Sequence, residues 1–352
     1  MSDIMGLDIG GANIKVCRLE MDKGLVLRAE ADSVYHEVWR DPAGIRDVLK
    51  NFEQKWDRKN ETELKGIALT MTAELCDIFP TKADGVITIL RLVEEVFPNV
   101  PIYVWTTRGI FVSASETKEK PLEAAAANWL ASATSLARSP LVGNEPALLI
   151  DMGSTTTDIL PLVRGEVAVK GRTDLERLLS GELVYTGVLR TQVNSIVGDV
   201  FVSGIRCRVA HEYFAISADV YRLLDSISEE DYDVPTPDGG GRDLTACSRR
   251  LARVVASEPE ELGSDGVYAI ARYVQEKQIQ QIQEAIWQIL SRREWPSPQL
   301  LITAGQGSFL LEQVAVRLGW KAVPWWEMFP AAQSEYAMTA YTVAWLLATQ
   351  LG

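Results

Sequence analysis

Residues 148–159 read LLIDMGSTTTDI. Apolar residues run into Asp151, a glycine follows, then small hydroxyl residues, then Asp158. Ala147–Ile150 has the composition of a buried strand. The turn after it, Gly153-Ser154-Thr155-Thr156-Thr157, offers backbone N–H groups and hydroxyls with little bulk, which suits phosphate oxygens. Asp151 at the strand end suits a divalent cation held mainly through water. The same grammar stands at residues 4–16, IMGLDIGGANIKV: Asp8 ends an apolar strand, Gly10-Gly11 turns, and Asn13 and Lys15 follow on the next strand. One Asp-Gly turn is an ordinary hairpin signal. Two in this order, followed by a glycine motif at 303–307, imply two halves serving one polyphosphate.

The 352 residues suffice for two domains with substantial cores. A net charge of −13 argues against a general nucleic-acid or anionic-membrane binder. MSDIMGLDIGG lacks the basic start of a signal peptide, and no apolar run reaches the length of a membrane span, so a cytoplasmic protein is expected. Cys17, Cys76, Cys207 and Cys247 are scattered without a CxxC, as buried thiols in a reducing compartment would be. With only His36 and His211, a histidine-rich zinc site is not expected.

Outward from the two turns, helices and strands alternate, so the chain reads as α/β. Residues 4–9 and 13–19 form a hairpin, with 25–31 as a third strand. Ile45, Val48, Leu49, Phe52 and Trp56 carry helical spacing within 41–57. The strand 64–70 delivers Thr70, Thr72 and Glu74 to its carboxyl end, where open α/β sheets take ligands. A helix over 85–97, a strand over 101–106 and one alanine-rich helix over 121–137, with Pro121 in its first turn, complete the first half. In the second half, 163–169 is expected as the third strand and 181–191 (GELVYTGVLRT) crowds Glu182, Tyr185, Thr186, Arg190 and Thr191 together. A strand over 205–209, a helix over 216–224, a surface loop over 228–243 and a helix over 245–256 follow. The arginines of that last helix, Arg249, Arg250 and Arg253, read as a solvated face. A long helix over 267–292, a strand over 299–303 and a helix over 309–318 lead to Trp325, Trp326 and Phe329 in a loop, then a small-residue helix over 334–347.

This order resembles the actin, sugar-kinase and Hsp70 superfamily. Asp8-Ile9-Gly10-Gly11 matches its first phosphate hairpin, Asp151 to Thr156 its second, and Thr303-Ala304-Gly305-Gln306-Gly307 its adenosine-type loop. DIGGANIK, IDMGSTTTDI, GELVYTGVLRT and HEYFAISADVYRLL further resemble the hydantoinase/oxoprolinase-related branch, and within it the methanofuran-biosynthesis synthases of one-carbon metabolism. The resemblance implies a two-lobed, ribonuclease H-like fold with a central cleft. Residues 1–146 with a C-terminal helix in 331–352 would form one lobe, and 147–330 the other. It implies a transferase that joins (aminomethyl)furanylmethyl diphosphate to the phenol of a glutamylated tyramine and releases pyrophosphate.

Under that implication, Gly10, Gly11, Asn13, Lys15 and Gly153–Thr157 bind phosphate, and Asp8 and Asp151 hold Mg²⁺. Arg190 adds charge, and Glu182 or Asp219 serves as base towards the phenol. Thr72, Glu74, Tyr185, Thr186 and His211 are candidate substrate contacts, with a structural role open for His211 and a core role open for the tryptophans. ATP is permitted and not required. Small-molecule substrates are the expected partners, nucleic acid and membrane are not, and a homo-oligomer stays open. Two other readings remain: an ATP-dependent small-molecule kinase, and a nucleotide-gated interaction protein.

Overall fold

The structure is a computed structural model that describes residues 2–23, 25–57, 63–292, 298–329, 331–333 and 337–352. The chain divides into two compact units, one of 1–145, 162–167 and 325–352, the other of 146–161 and 168–324.

The first unit opens with β1 (Ser2–Ile9), β2 (Asn13–Asp22) and β3 (Leu25–Tyr35), an antiparallel meander. β1 is buried along seven of its eight residues because it lies inside the sheet. α1 (Ile45–Asp57) turns Ile45, Leu49, Phe52 and Trp56 into the core at the spacing its sequence carries. β4 (Leu64–Met71) pairs parallel with β1 and, after α2 (Lys82–Val96), β5 (Ile102–Trp105) pairs parallel with β4. β6 (Phe111–Ser113) and α3 (Ala114–Glu119), unforeseen in the sequence, extend the edge; a capping box between Ser113 and Glu116 starts that helix. The sheet order is β3-β2-β1-β4-β5-β6.

The alanine-rich helix expected over 121–137 is broken. Pro121–Glu123 makes a single tight turn, Ala126 takes the left-handed conformation at φ +49°, and α4 runs only over Asn128–Arg138. The cause lies far off in the chain: the Ala126 N–H donates to Glu74 Oε1 at 2.8 Å, which takes it out of the helix ladder.

The second unit repeats the plan. β7 (Ala147–Met152) and β8 (Thr157–Val163) form the second Asp-Gly hairpin. The third strand expected over 163–169 shrinks to β9 (Glu166–Val167), which falls in the 162–167 segment of the first unit. After α5 (Asp174–Ser180), β10 (Leu183–Val184) takes the place beside β8 instead. α6 (Val193–Ile196), the ribbon of β11 (Asp199–Val202) and β12 (Ile205–Arg208), α7 (Ser217–Leu223) and α8 (Leu244–Arg253) follow. α9 (Pro259–Leu290) starts earlier than expected and breaks at Gly263, whose φ of +69° and ψ of 162° are not helical. β13 (Leu300–Ala304), α10 (Ser308–Leu318) and β14 (Lys321–Pro324) close a sheet of order β10-β8-β7-β13-β14. Each sheet therefore sets its first strand between the hairpin partner and two later strands, β2-β1-β4-β5 and β8-β7-β13-β14, with β9 paired to β8 off this path, the strand order of the ribonuclease H-like fold.

α11 (Met338–Leu351) belongs to the first unit and lies on β1. Gly6 makes this possible, since a Cβ there would stand 2.1 Å from the Ala340 carbonyl oxygen. The expected start of this helix at Ser334 lies outside the described residues. Trp325 and Phe329 are buried in the same core, with ring centroids 5.7 Å from Tyr341 and 5.2 Å from Trp345, so their part is packing. No helix among the described residues is long and apolar enough to cross a membrane.

Candidate functional site

In the first unit, β1 turns into β2 through a hydrogen bond from Gly10 N–H to the Asn13 carbonyl, 3.0 Å. Gly10 has no room for a side chain, since a Cβ would meet that carbonyl oxygen at 2.9 Å. Asp8 and Lys15 face each other in register, and Lys15 Nζ donates to Asp8 Oδ2 at 3.2 Å. The Thr339 hydroxyl, delivered by α11, donates to the same oxygen. Asp8 is buried, and its other oxygen, Oδ1, has no partner.

Thr70 lies beside Asp8 in the parallel register of β1 and β4, buried, its hydroxyl also without a partner. Thr72 is half-buried; its N–H donates to the Ile9 carbonyl at 3.0 Å, which ties the end of β4 to the turn. Glu74 is buried in the tight turn Ala73–Leu75. Oε1 accepts the Ala126 N–H, and Oε2 has no partner. Burial pushes this carboxyl up to about 7; the Asp8 charge adds to the rise and Lys82 opposes it.

The second unit builds a turn of the same kind. Gly153 N–H donates to the Thr156 carbonyl at 2.9 Å. GELVYTGVLRT backs it: the N–H groups of Leu189 and Arg190 donate to the Ser154 carbonyl at 3.0 and 2.9 Å, and that of Val188 to the Gly153 carbonyl at 3.0 Å. Gly187 presses against the turn so closely that a Cβ would stand 2.5 Å from Ser154 C and Thr155 N. Ser154 Oγ is buried without a partner, and Thr155 and Thr156 are half-buried.

Asp151 ends β7 half-buried, next to the loop Gly305-Gln306-Gly307. Gly305 adopts φ +82°, and a Cβ on it would lie 2.5 Å from Asp151 Oδ1. Gly307 N–H donates to the Met152 carbonyl at 2.9 Å, and Gln306 is exposed. The glycine loop thus packs on the end of β7 beside the Asp151 carboxylate.

Several expected roles are corrected by these surroundings. Glu182 is fully buried with both oxygens filled: Oε1 accepts from Lys170 N (2.7 Å) and Arg292 Nη1 (2.6 Å), and Oε2 from Gly171 N (2.8 Å) and Ser180 Oγ (2.9 Å). Asp219 is fully buried too. Its Oδ1 accepts from Arg250 Nη2 at 2.7 Å, Arg250 Nε at 2.9 Å and Tyr232 OH at 3.0 Å, while Oδ2 accepts from Ile216 N at 3.0 Å and starts α7. Neither carboxylate has a place for a phenol proton; both are clasps of the fold. Arg250, expected on a solvated face, is the buried partner of Asp219 and reaches Asp238 as well. Thr157 spends its hydroxyl on the Thr186 carbonyl at 2.7 Å, and the Thr186 hydroxyl accepts from Gln278 Nε2 at 2.8 Å, so these two hold the turn in place. Arg190, Tyr185 and His211 are exposed.

Asp8, expected as a metal ligand, carries the Lys15 ammonium on Oδ2. Asp151, beside the Gly305 turn, has the donor chemistry for a Mg²⁺ held by one carboxylate and completed by water and phosphate oxygens. Among the described residues no group of three or more His, Cys, Asp or Glu side chains is arranged for a metal. Thr339, Ala126 and Gly187 were not singled out from the sequence. The first two act from distant chain segments, whereas Gly187 sits inside a stretch of polar residues with no glycine pattern of its own.

Residues 65–345 match the hydantoinase/oxoprolinase family. The chain is 37% identical over 289 residues, 82% of each chain, to the (4-{4-[2-(gamma-L-glutamylamino)ethyl]phenoxymethyl}furan-2-yl)methanamine synthase of Methanocaldococcus jannaschii. It is 41% identical over 124 residues, 35% of this chain and 55% of the relative, to the protein of that name from Methanococcus vannielii. Among solved structures, the nucleotide-free acetone carboxylase superposes with a TM-score of 0.52 at 10% identity, over 97% of this chain and 70% of that one, a likeness of fold.

Proposed function

Since the chain belongs to the hydantoinase/oxoprolinase family, and within it to the branch of these furanylmethanamine synthases, we propose that it condenses (aminomethyl)furanylmethyl diphosphate with the phenol of γ-glutamyltyramine and releases pyrophosphate. The observation that carries the diphosphate half is the Lys15 ammonium anchored by buried Asp8 beside the Gly10–Gly11 turn. A furanylmethyl diphosphate ionises at its C–O bond because the furan ring stabilises the cation. The protein's work is then to bind and neutralise the departing diphosphate and to hold the phenol oxygen near the carbon it attacks.

Lys15 offers a fixed positive charge to phosphate oxygens, and Asp8 with Thr339 holds that charge in place. The turn Gly153–Thr156 offers hydroxyls of Ser154, Thr155 and Thr156 to phosphate oxygens in its own unit. Asp151 would hold Mg²⁺, which when bound screens phosphate charge. No nucleic-acid or membrane partner is proposed, and the reaction as proposed does not require ATP.

Pyrophosphate is therefore expected to inhibit competitively against the furanylmethyl diphosphate, with a rate that does not change when ATP is left out. Strict dependence on ATP with formation of ADP would replace this reading with a small-molecule kinase, for which the Gly305–Gly307 loop would serve adenosine.

A further inference from the structure

With Glu182 and Asp219 closed by ion pairs, the proposed reaction needs a group that moves a proton, and the candidate is Glu74, a buried carboxyl with one unpartnered oxygen on the turn tied to the first anion turn. The turn that carries Glu74 is tied to the first anion turn by the Thr72 N–H to Ile9 carbonyl bond, and a Cβ on Gly10 would stand 3.7 Å from Thr72 Oγ1. Gly85 of α2 presses on the turn from behind, its Cβ position 2.8 Å from Glu74 Cα, so the turn cannot withdraw. The carboxyl is 1% exposed. Because Oε1 accepts the Ala126 N–H, a proton on this group must ride on Oε2, the oxygen without a partner.

The charged groups around it are Asp8 on β1, which favours the protonated form, and Lys82 on α2, which opposes it. Cys76 and Asp77 follow in the chain; burial, then the Glu74 charge, then Asp77 push the Cys76 thiol up. A phosphate anion arriving at the Gly10–Gly11 turn adds like charge and favours the protonated carboxyl further.

We propose that Glu74 is the proton donor to the bound diphosphate, through Oε2. The inference rests on the diphosphate-releasing reading above. The bond between the furanylmethyl carbon and the diphosphate oxygen breaks, and its electron pair leaves with the diphosphate. The Oε2 proton passes to that leaving group. The phenol oxygen forms the new C–O bond, its proton passes to water, and water returns a proton to Glu74.

The test is calorimetric titration of the full chain with inorganic pyrophosphate, for wild type and Glu74→Gln, across pH 6–9 and in two buffers of different ionisation enthalpy. Pyrophosphate's own protonation is common to both proteins, so the difference between them is read. Wild type should take up more protons per pyrophosphate bound. Its affinity should fall faster above pH 7, by up to about tenfold per pH unit relative to the variant. Equal proton uptake and parallel pH profiles would overturn the proposal while leaving the diphosphate reading intact. No pyrophosphate binding by wild type would overturn both. Glutamine can still accept the Ala126 N–H, so the variant is expected to fold. Should it not, a carbon-13 titration of the wild-type Glu74 carboxyl decides: its midpoint should move upward with pyrophosphate, and an unmoved midpoint would overturn the proposal.

Discussion

Lys15 and Asp8 meet 3.2 Å apart across the register of β1 and β2, one a third exposed and the other buried. The buried carboxylate, braced by Thr339, fixes where the ammonium stands. The pair is a charge anchored at one end, which an exposed lysine with a free stem would not be.

Replacing Lys15 with Met should weaken pyrophosphate inhibition by roughly 10- to 100-fold, the scale of a lost hydrogen bond to a charged group. Lys15→Arg should recover part of it. Inhibition constants from steady-state kinetics decide, and an unchanged constant in Lys15→Met would remove the anion role.

Gly187→Ala should disturb the second turn. The new Cβ meets Ser154 C and Thr155 N, both backbone, so nothing flexible can give way. A cost of about 1–3 kcal/mol, the range for overpacking, is expected together with reduced turnover. Gly198→Ala, where nothing lies within 4 Å, is the control and should leave both unchanged. Thermal unfolding and turnover of the two variants check this.

Asp219→Asn should act on stability. Removing one charge of a buried pair leaves Arg250 uncompensated, at a cost of about 3–5 kcal/mol. Turnover per folded molecule at low temperature should stay near wild type. A general base would instead lose about 10²- to 10⁴-fold in rate. Denaturant unfolding beside active-site titration separates the two.

The two turns are legible in the sequence, because an Asp at a strand end, a glycine turn and a lysine four residues after Gly11 are local. The bonds Gly10 N–H to Asn13 O and Gly153 N–H to Thr156 O follow from such local patterns. What escaped was non-local. Nothing in GELVYTG says that Arg292, 110 positions away, will fill the Glu182 carboxylate, or in TACSRRLAR that Arg250 turns inward to Asp219. The alanine run 121–137 has strong helix propensity throughout, and only Glu74, 52 positions away, explains its break at Ala126.

The raised Glu74 carboxyl has a consequence for stability. Its folded value, about 7, lies above the ordinary 4.5, so the native state holds the proton more tightly than the unfolded chain. The favourable contribution is complete below pH 4.5, is lost as pH rises from 4.5 to 7, and changes no further above that. Glu74→Gln, neutral at every pH, should therefore gain on wild type across this window by about 3 kcal/mol at pH 8 relative to pH 4. Urea unfolding of both proteins from pH 4 to 8 measures the difference, and parallel curves would contradict it.

The central claim is tested most directly by incubating the purified protein with (aminomethyl)furanylmethyl diphosphate and γ-glutamyltyramine, without ATP, and following pyrophosphate and product mass together. One pyrophosphate released per aryl ether formed, with no other phosphate product, is the predicted result. Absence of the ether without ATP, and its appearance with ADP when ATP is added, would contradict the account.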